Sequence, residues 1–382
     1  MSKHSKRSAT NTKASRRELL KAAAGGATGS IAALAGCSGG SSGGGATASS
    51  GEFSDKITFM GWGGNFGDIV EKTLVDPFRE EHDIKVEYVP LPSPAKMLSK
   101  LQAGSLGVDV VSHWNYTLYQ GVQQDLFQPI REENVPNLKN VIDGYKPSNV
   151  DYNPGDTPYH VPNTIGGNGL VYNEKEMDEP NTWDDLFTKE YSDQLSIPSW
   201  TATSVGIIAK AAGLNLDESL PKNIDKVWDK AQTWNQHMYD WWSSGQDMQN
   251  YLSNESVYGG MLWYARVYAL INNQDEPLSY TIPEDGTSAW VETYSIPKGV
   301  SGQKRKTAEY FINWVYSESA LRNLVNEMPY SIPYNWGETP EVYDDHPEQK
   351  YLGTDRIEPW SSAVLEEHRQ EWSTKFRQIT SS

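Results

Sequence analysis

The sequence predicts an α/β protein, and three observations carry the prediction. Lys56-Ile57-Thr58-Phe59-Met60 reads as a strand, Gly61 to Gly67 as a loop, the next residues as a helix to about Glu81, and Ile84 to Tyr88 as a second strand. Strand, helix and strand in that order make a parallel β-α-β unit. Residues 55–382 are long enough for two domains. A Ser/Gly/Ala-rich stretch from Gly39 to Gly51 precedes them with the composition of a flexible tether.

Further elements follow in turn. Ala95 to Ala103 reads as a helix and Val108 to Val111 as a strand. Loops at the carboxyl ends of strands line the ligand crevice of open α/β sheets, which places Trp62 and the stretch Ser112-His113-Trp114-Asn115-Tyr116 at one mouth. The glycines around Trp62 do not make a phosphate cradle. Phe66 stands at the last glycine position of G-x-G-x-x-G, and no G-x-x-x-x-G-K-[ST] occurs. A ring flanked by glycines is better explained as one presented to a cleft. Tyr159 to Pro162 leads through Gly166-Gly167-Asn168-Gly169 to a strand at Leu170 to Asn173, and Thr182 caps a helix start. A long helical region is expected from about Lys222 to Trp242, then an aromatic, apolar run from Val257 to Tyr268. Ser288 to Pro297 alternates as a strand does, so Trp290, Glu292 and Tyr294 share a face.

Ser15-Arg16-Arg17-Glu18-Leu19-Leu20-Lys21 resembles a twin-arginine export signal, and Leu34-Ala35-Gly36-Cys37 resembles a lipobox. The segment between them is too short and too rich in Gly and Ala to span a membrane, which takes roughly 20 apolar residues. It reads as the apolar core of a signal peptide. Cys37 is the only cysteine, so lipidation suits it better than catalysis, and no internal disulfide can form. Removing residues 1–36 takes away seven Lys/Arg and one acid and shifts the net charge from −17 to −23. That balance excludes the basic footprint a nucleic-acid partner needs. All 14 Trp lie beyond the tether; most are expected to pack in the core.

Ordered pieces along residues 56–380 carry a further likeness: Pro77-Phe78, Ala103-Gly104 with Asp109-Val110-Val111, Gly169 to Asn173, Tyr280 to Gly286, Ser295 to Lys298, Phe311 to Trp314 and Tyr330 to Pro333. Through them the chain resembles the solute-binding proteins of spermidine/putrescine ABC importers. The resemblance implies a periplasmic-binding-protein-like (type II) clamshell of two α/β lobes with ligand trapped between them. It implies a signal peptide over 1–36, a tether over 37–54, lobe one over 55–164, lobe two over 165–291, a return to lobe one over 292–338 and a C-terminal segment, 339–382, on lobe two. It also implies a polyamine box with Trp62, Tyr116, Trp263, Trp290 and Tyr330 as ring walls and Glu292 where the family has an amine-pairing aspartate. The second acidic pair of the family falls near Ser199 to Thr203, which contains no acid. Trp200 then either packs or caps the same pocket; Trp114, Trp241, Trp242 and Trp314 are expected to pack against neighbours.

The implied partners are a small solute and the permease and ATPase subunits of an importer, for a lipid-anchored monomer at the outer face of the cytoplasmic membrane. No cofactor or metal is called for. A singly cationic or neutral ring-stacking solute, a sugar or a thiamine-like compound, is a rival ligand. A secreted glycosidase is the rival from another class, since two carboxylates suffice for it, but H-E-x-x-H is absent and G-x-S-x-G occurs only inside the Ser/Gly-rich stretch, not as a nucleophile elbow between strand and helix. The sequons Asn115-Tyr116-Thr117 and Asn254-Glu255-Ser256 permit glycosylation.

Overall fold

Strands β1 to β5 cover Lys56–Gly61, Lys85–Pro90, Val110–Trp114, Phe127–Gln128 and Val161–Gly167. Strands β6 to β10 cover Leu170–Asn173, Leu195–Pro198, Met238–Trp242, Gly259–Met261 and Leu278–Thr281. Thr287–Pro297 forms β11 and Ile357–Pro359 forms β12. The structure is a computed structural model that describes residues 51–91 and 93–381. The twin-arginine segment, Cys37 and most of the tether lie outside the described residues.

The strands form two sheets. The first runs β12-β11-β3-β1-β2, with β4 and β5 also paired to β11. β1 is parallel to both β2 and β3, so the first β-α-β unit is present as the sequence predicts. Its helical crossover passes through one π-helical turn, Glu71–Val75, between Gly64–Val70 and Asp76–His82. The second sheet runs β10-β6-β9-β7-β8, with β7 parallel to β8 and to β9. Each sheet has its own apolar core. Phe59, Phe78, Phe311 and Tyr294 fill the first; Trp183, Trp234, Trp242 and Trp372 fill the second.

The sequence and the structure differ at two places that bear on the site. The helical region expected to end at Trp242 stops at Asn235, and β8 follows it. Val227, Trp228, Ala231 and Trp234 complete the buried stripe of that helix, and beyond Trp234 the chain gains more by pairing with β7. The strand expected to end at Val111 continues to Trp114, because β11 pairs Glu292 with Trp114, Thr293 with His113 and Tyr294 with Ser112. Residues Ser112 to Trp114 are thus strand, and only Asn115 and Tyr116 of the expected loop leave the sheet, to start a helix.

Two antiparallel strands join the sheets. β5 leaves the first sheet and enters β6 after Asn168 and Gly169, while β11 returns. Their register shifts between Val291 and Thr293, at the level of Glu292. Gly166 lies under the Trp290 ring, where a Cβ would stand 2.4 Å from Trp290 Cζ2. Glu348, fully buried, bonds the crossover from outside: its Oε2 accepts from Gly167 N at 3.1 Å, and Oε1 accepts from the Tyr280 hydroxyl. Burial pushes its carboxyl up to about 7 against those two donors. The C-terminal helix Ser362–Thr380 sets Trp372 and Phe376 into the second core. Among the described residues no helix is long and apolar enough to cross a membrane, and no group of His, Cys, Asp and Glu is placed to hold a metal ion.

Candidate functional site

Every parallel strand of the second sheet feeds a helix whose first turn faces the same cleft. β7 leads through Trp200 to helix Thr201–Ala211, β8 through Ser244 to helix Gly245–Ser253, and β9 through Trp263 to helix Tyr264–Gln274. From the other side β1 delivers Trp62 and β3 delivers Trp114. Strand ends of both sheets therefore converge on one space, as expected of ligand crevices in α/β sheets.

That space is a cavity of about 240 Å³ lined by Trp62, Gly63, Phe66, Trp114, Trp200, Ser244, Gly245, Trp263, Arg266, Trp290, Glu292 and Tyr330. Five of the six ligand residues expected from the sequence are among them. The sixth, Tyr116, lines a smaller neighbouring cavity of about 40 Å³ that shares Trp114, Trp263 and Trp290 with the first. Trp114, expected to pack against neighbours, lines both cavities, since β3 runs three residues further than the sequence suggests. Trp200 belongs to the wall. Trp241 packs on Phe376, Trp314 packs on Phe78 and Trp242 is fully buried, all in line with expectation.

The rings form a connected wall. Trp62 and Trp114 lie 5.1 Å apart between centroids, Trp114 and Trp200 5.8 Å, and Trp200 and Trp263 5.5 Å. On the third side Trp290 meets Tyr330 edge to face at 5.1 Å. Strand alternation sends Trp290 and Glu292 into the cavity, while Tyr294 packs on Phe59 in the first core. Polar bonds fix the ring orientations: Trp263 Nε1 donates to Asn168 Oδ1 at 3.2 Å and Trp200 Nε1 to the Ser243 carbonyl at 3.0 Å.

Glu292 is the one carboxylate lining the cavity and is 2 % exposed. Trp62 Nε1 donates to its Oε1 at 2.6 Å and Ser112 Oγ to its Oε2 at 3.2 Å. Burial pushes its carboxyl up to about 8, although bonds from Trp62, Ser112 and Trp114 oppose the shift. No basic side chain of the described residues stands within ion-pair distance of it. Ionised, it would be a buried charge with polar donors but no counter-charge, an expensive state unless a cation enters.

Sequence reading missed Phe66, Ser244, Gly245 and Arg266. Arg266 sits on the aromatic run Val257 to Tyr268, where its charge is the single exception to an apolar pattern. Its guanidinium carbon lies 5.8 Å from the centre of the Trp263 ring, and Nη1 donates to Gln249 Oε1 at 2.6 Å. Gly245 allows this approach, since a Cβ there would stand 2.8 Å from Arg266 Nε and from Trp263 Cζ3. Asn115 of the first sequon is 4 % exposed, which leaves no room for a glycan on the folded chain, whereas Asn254 is exposed.

The sequence profile of bacterial extracellular solute-binding proteins matches residues 73–348, across both sheets and the two strands that join them. The chain belongs to that family. It is a family of solute-binding proteins, not of enzymes. A putrescine-binding periplasmic protein, SpuD of Pseudomonas aeruginosa, is 22% identical over 282 residues, 69% of this chain and 75% of SpuD. Among solved structures, the spermidine/putrescine transporter substrate-binding protein PotD of Streptococcus pneumoniae superposes with a TM-score of 0.72 at 21% identity, covering 86% of this chain and all of PotD. The GABA receptor Atu4243 superposes with a TM-score of 0.70 at 19% identity, covering 85% of this chain and 97% of that one. These likenesses show the two-lobed binding-protein fold of the family, and the named ligands of the relatives differ.

Proposed function

We propose that this chain is the substrate-binding lipoprotein of an ABC import system, capturing a small amine-containing solute between its lobes for delivery to a membrane permease. The observation that carries the reading is Glu292: a buried carboxyl without a cation partner, set in the wall of an aromatic cleft. An ammonium group would complete it twice over, pairing with the carboxylate and lying against indole faces, which attract cations more strongly once water is excluded. Polyamine-like solutes are the first candidates, supported by the names of SpuD and PotD. Residues 55–164 and 292–338 serve as one lobe and 165–291 as the other, on which the C-terminal segment, 339–382, packs through helix Ser362–Thr380. Export by the twin-arginine route and lipid attachment at Cys37 rest on the order of arginine pair, short apolar segment and lipobox.

The test is a titration of the purified chain with putrescine, spermidine and simple monoamines, repeated for Glu292→Gln. Truncating one partner of a buried charge pair costs about 2–5 kcal/mol, so an amine should bind the variant far more than tenfold more weakly. Trp263→Ala and Trp290→Ala should also lose affinity. The wall of seven aromatic rings favours a second reading, a neutral ring-stacking solute; there Glu292→Gln would be mild and both Trp variants severe. Wild-type affinity for amines in Glu292→Gln would exclude the amine.

A further inference from the structure

The two walls of the cavity carry opposite charge. On the side of the first sheet and the crossover stands Glu292, the only acid among the lining residues; on the side of the second sheet stands Arg266, the only base. No carboxylate among the described residues lies within ion-pair distance of Arg266, and its one hydrogen bond goes to the neutral amide of Gln249. A guanidinium has five N–H donors, so most of the fork is uncommitted. The same wall is electropositive for a second reason. Helices Thr201–Ala211 and Tyr264–Gln274 open at Trp200 and Trp263 with no side-chain cap and no acid in the first turn, leaving amide N–H groups and the positive end of the helix dipole at the cleft. The acid of the third helix, Asp247, is engaged with Ser243 and Ser244 in a capping box. Both charges line the same cavity of about 240 Å³, together with the Tyr330 ring.

A linear diamine is a poor match for such a cavity. One ammonium would meet Glu292, and the other would be driven toward an arginine and two helix N-termini. Resting on the amine reading of Glu292, we infer that the solute is dipolar, with an ammonium group at Glu292 and a carboxylate or similar anion at Arg266. The arginine fork offers paired N–H donors to the two oxygens of a carboxylate. The aromatic rings between them cover the short apolar spacer.

The test compares α,ω-diamines with ω-amino acids of equal chain length, four to six carbons, by calorimetric titration of wild type, Arg266→Gln, Arg266→Lys and Glu292→Gln. Wild type should bind the best amino acid at least tenfold more tightly than the matching diamine. Arg266→Gln should lose at least tenfold for the amino acid and bind the diamine as well as or better than wild type does. Arg266→Lys, which keeps the charge without the fork, should fall between. Melting curves of each free variant report folding, and retained diamine binding by Arg266→Gln shows an intact cleft. Tighter diamine binding by wild type, lost in Glu292→Gln, would overturn the dipolar ligand while leaving the amine reading in place. Unchanged amino-acid affinity in Arg266→Gln would overturn it as well. Failure of both series to bind would remove the amine reading and this inference together.

Discussion

Replacing Glu292 with glutamine should flatten the alkaline side of the stability profile of the ligand-free protein. The carboxyl ordinarily titrates at 4.5, and in the folded chain burial moves it to about 8. Between these values the folded state keeps a proton that the unfolded state has released, so unfolding releases it and stability falls as pH rises. The effect is absent below 4.5 and complete above 8. At ~1.4 kcal/mol per pH unit the full displacement corresponds to roughly 5 kcal/mol. At about 2 °C per kcal/mol for a chain of this size, Tm should drop by up to about 10 °C through this one group. Other groups near Glu292 leave the window clear. Tyr88, Tyr294 and Tyr330 are pushed well above their ordinary range by burial, and His113 is held neutral at about 4. Glu348, at about 7, contributes the same slope to both proteins and cancels in the difference. Calorimetric melts of wild type and Glu292→Gln from pH 5 to 9 at constant ionic strength should diverge, with the variant the more stable at the alkaline end. Parallel curves across that range would refute the idea that Glu292 stays protonated in the empty cleft.

Three more outcomes are expected. Gly166→Ala places a Cβ 2.4 Å from the Trp290 ring, and such overpacking costs about 1–3 kcal/mol; fluorescence-monitored denaturation and a ligand titration should show lower stability and weaker binding together. His113, His160 and His346 are buried and held neutral at about 4, 3 and 4, so the unfolded chain binds the extra protons below its own histidine pKa of about 6.5. Stability from this source is present above that value and is lost as pH falls toward 3, visible as a Tm decline between pH 6.5 and 4.5. Intact-mass analysis of membrane-fraction protein should show loss of residues 1–36 and an added lipid, with Cys37→Ser released to the soluble fraction.

Much of this was legible in the sequence, for reasons that differ residue by residue. Trp62 after the first strand and the pair Trp290 and Glu292 on β11 follow from local pattern, because strand alternation and the carboxyl-end rule each need only a few residues. Trp114 was hidden, since its placement depends on how far β11, nearly 180 residues away, extends β3. Trp200 was ambiguous for a similar reason: its ring reaches the cleft from the first turn after β7, a place defined only once β7 pairs with β8 and β9. Arg266 gives no local signal beyond one charge in an apolar run, and its meaning comes from Glu292 across the cavity. The strand at Met238–Trp242 looks helical in sequence because the helical stripe before it is strong and the partner strand lies far upstream.

The connected indoles also make the protein its own optical probe. Trp62, Trp114, Trp200, Trp242 and Trp263 follow one another at centroid separations of 5.1–5.8 Å, near enough for their excited states to mix. Such coupling splits the far-ultraviolet indole bands into paired dichroic lobes whose size depends on the angles between rings. Because the link between Trp114 and Trp200 joins rings carried by different sheets, any relative rotation of those sheets rewrites the spectrum. Movement of the cleft can therefore be followed without an attached dye.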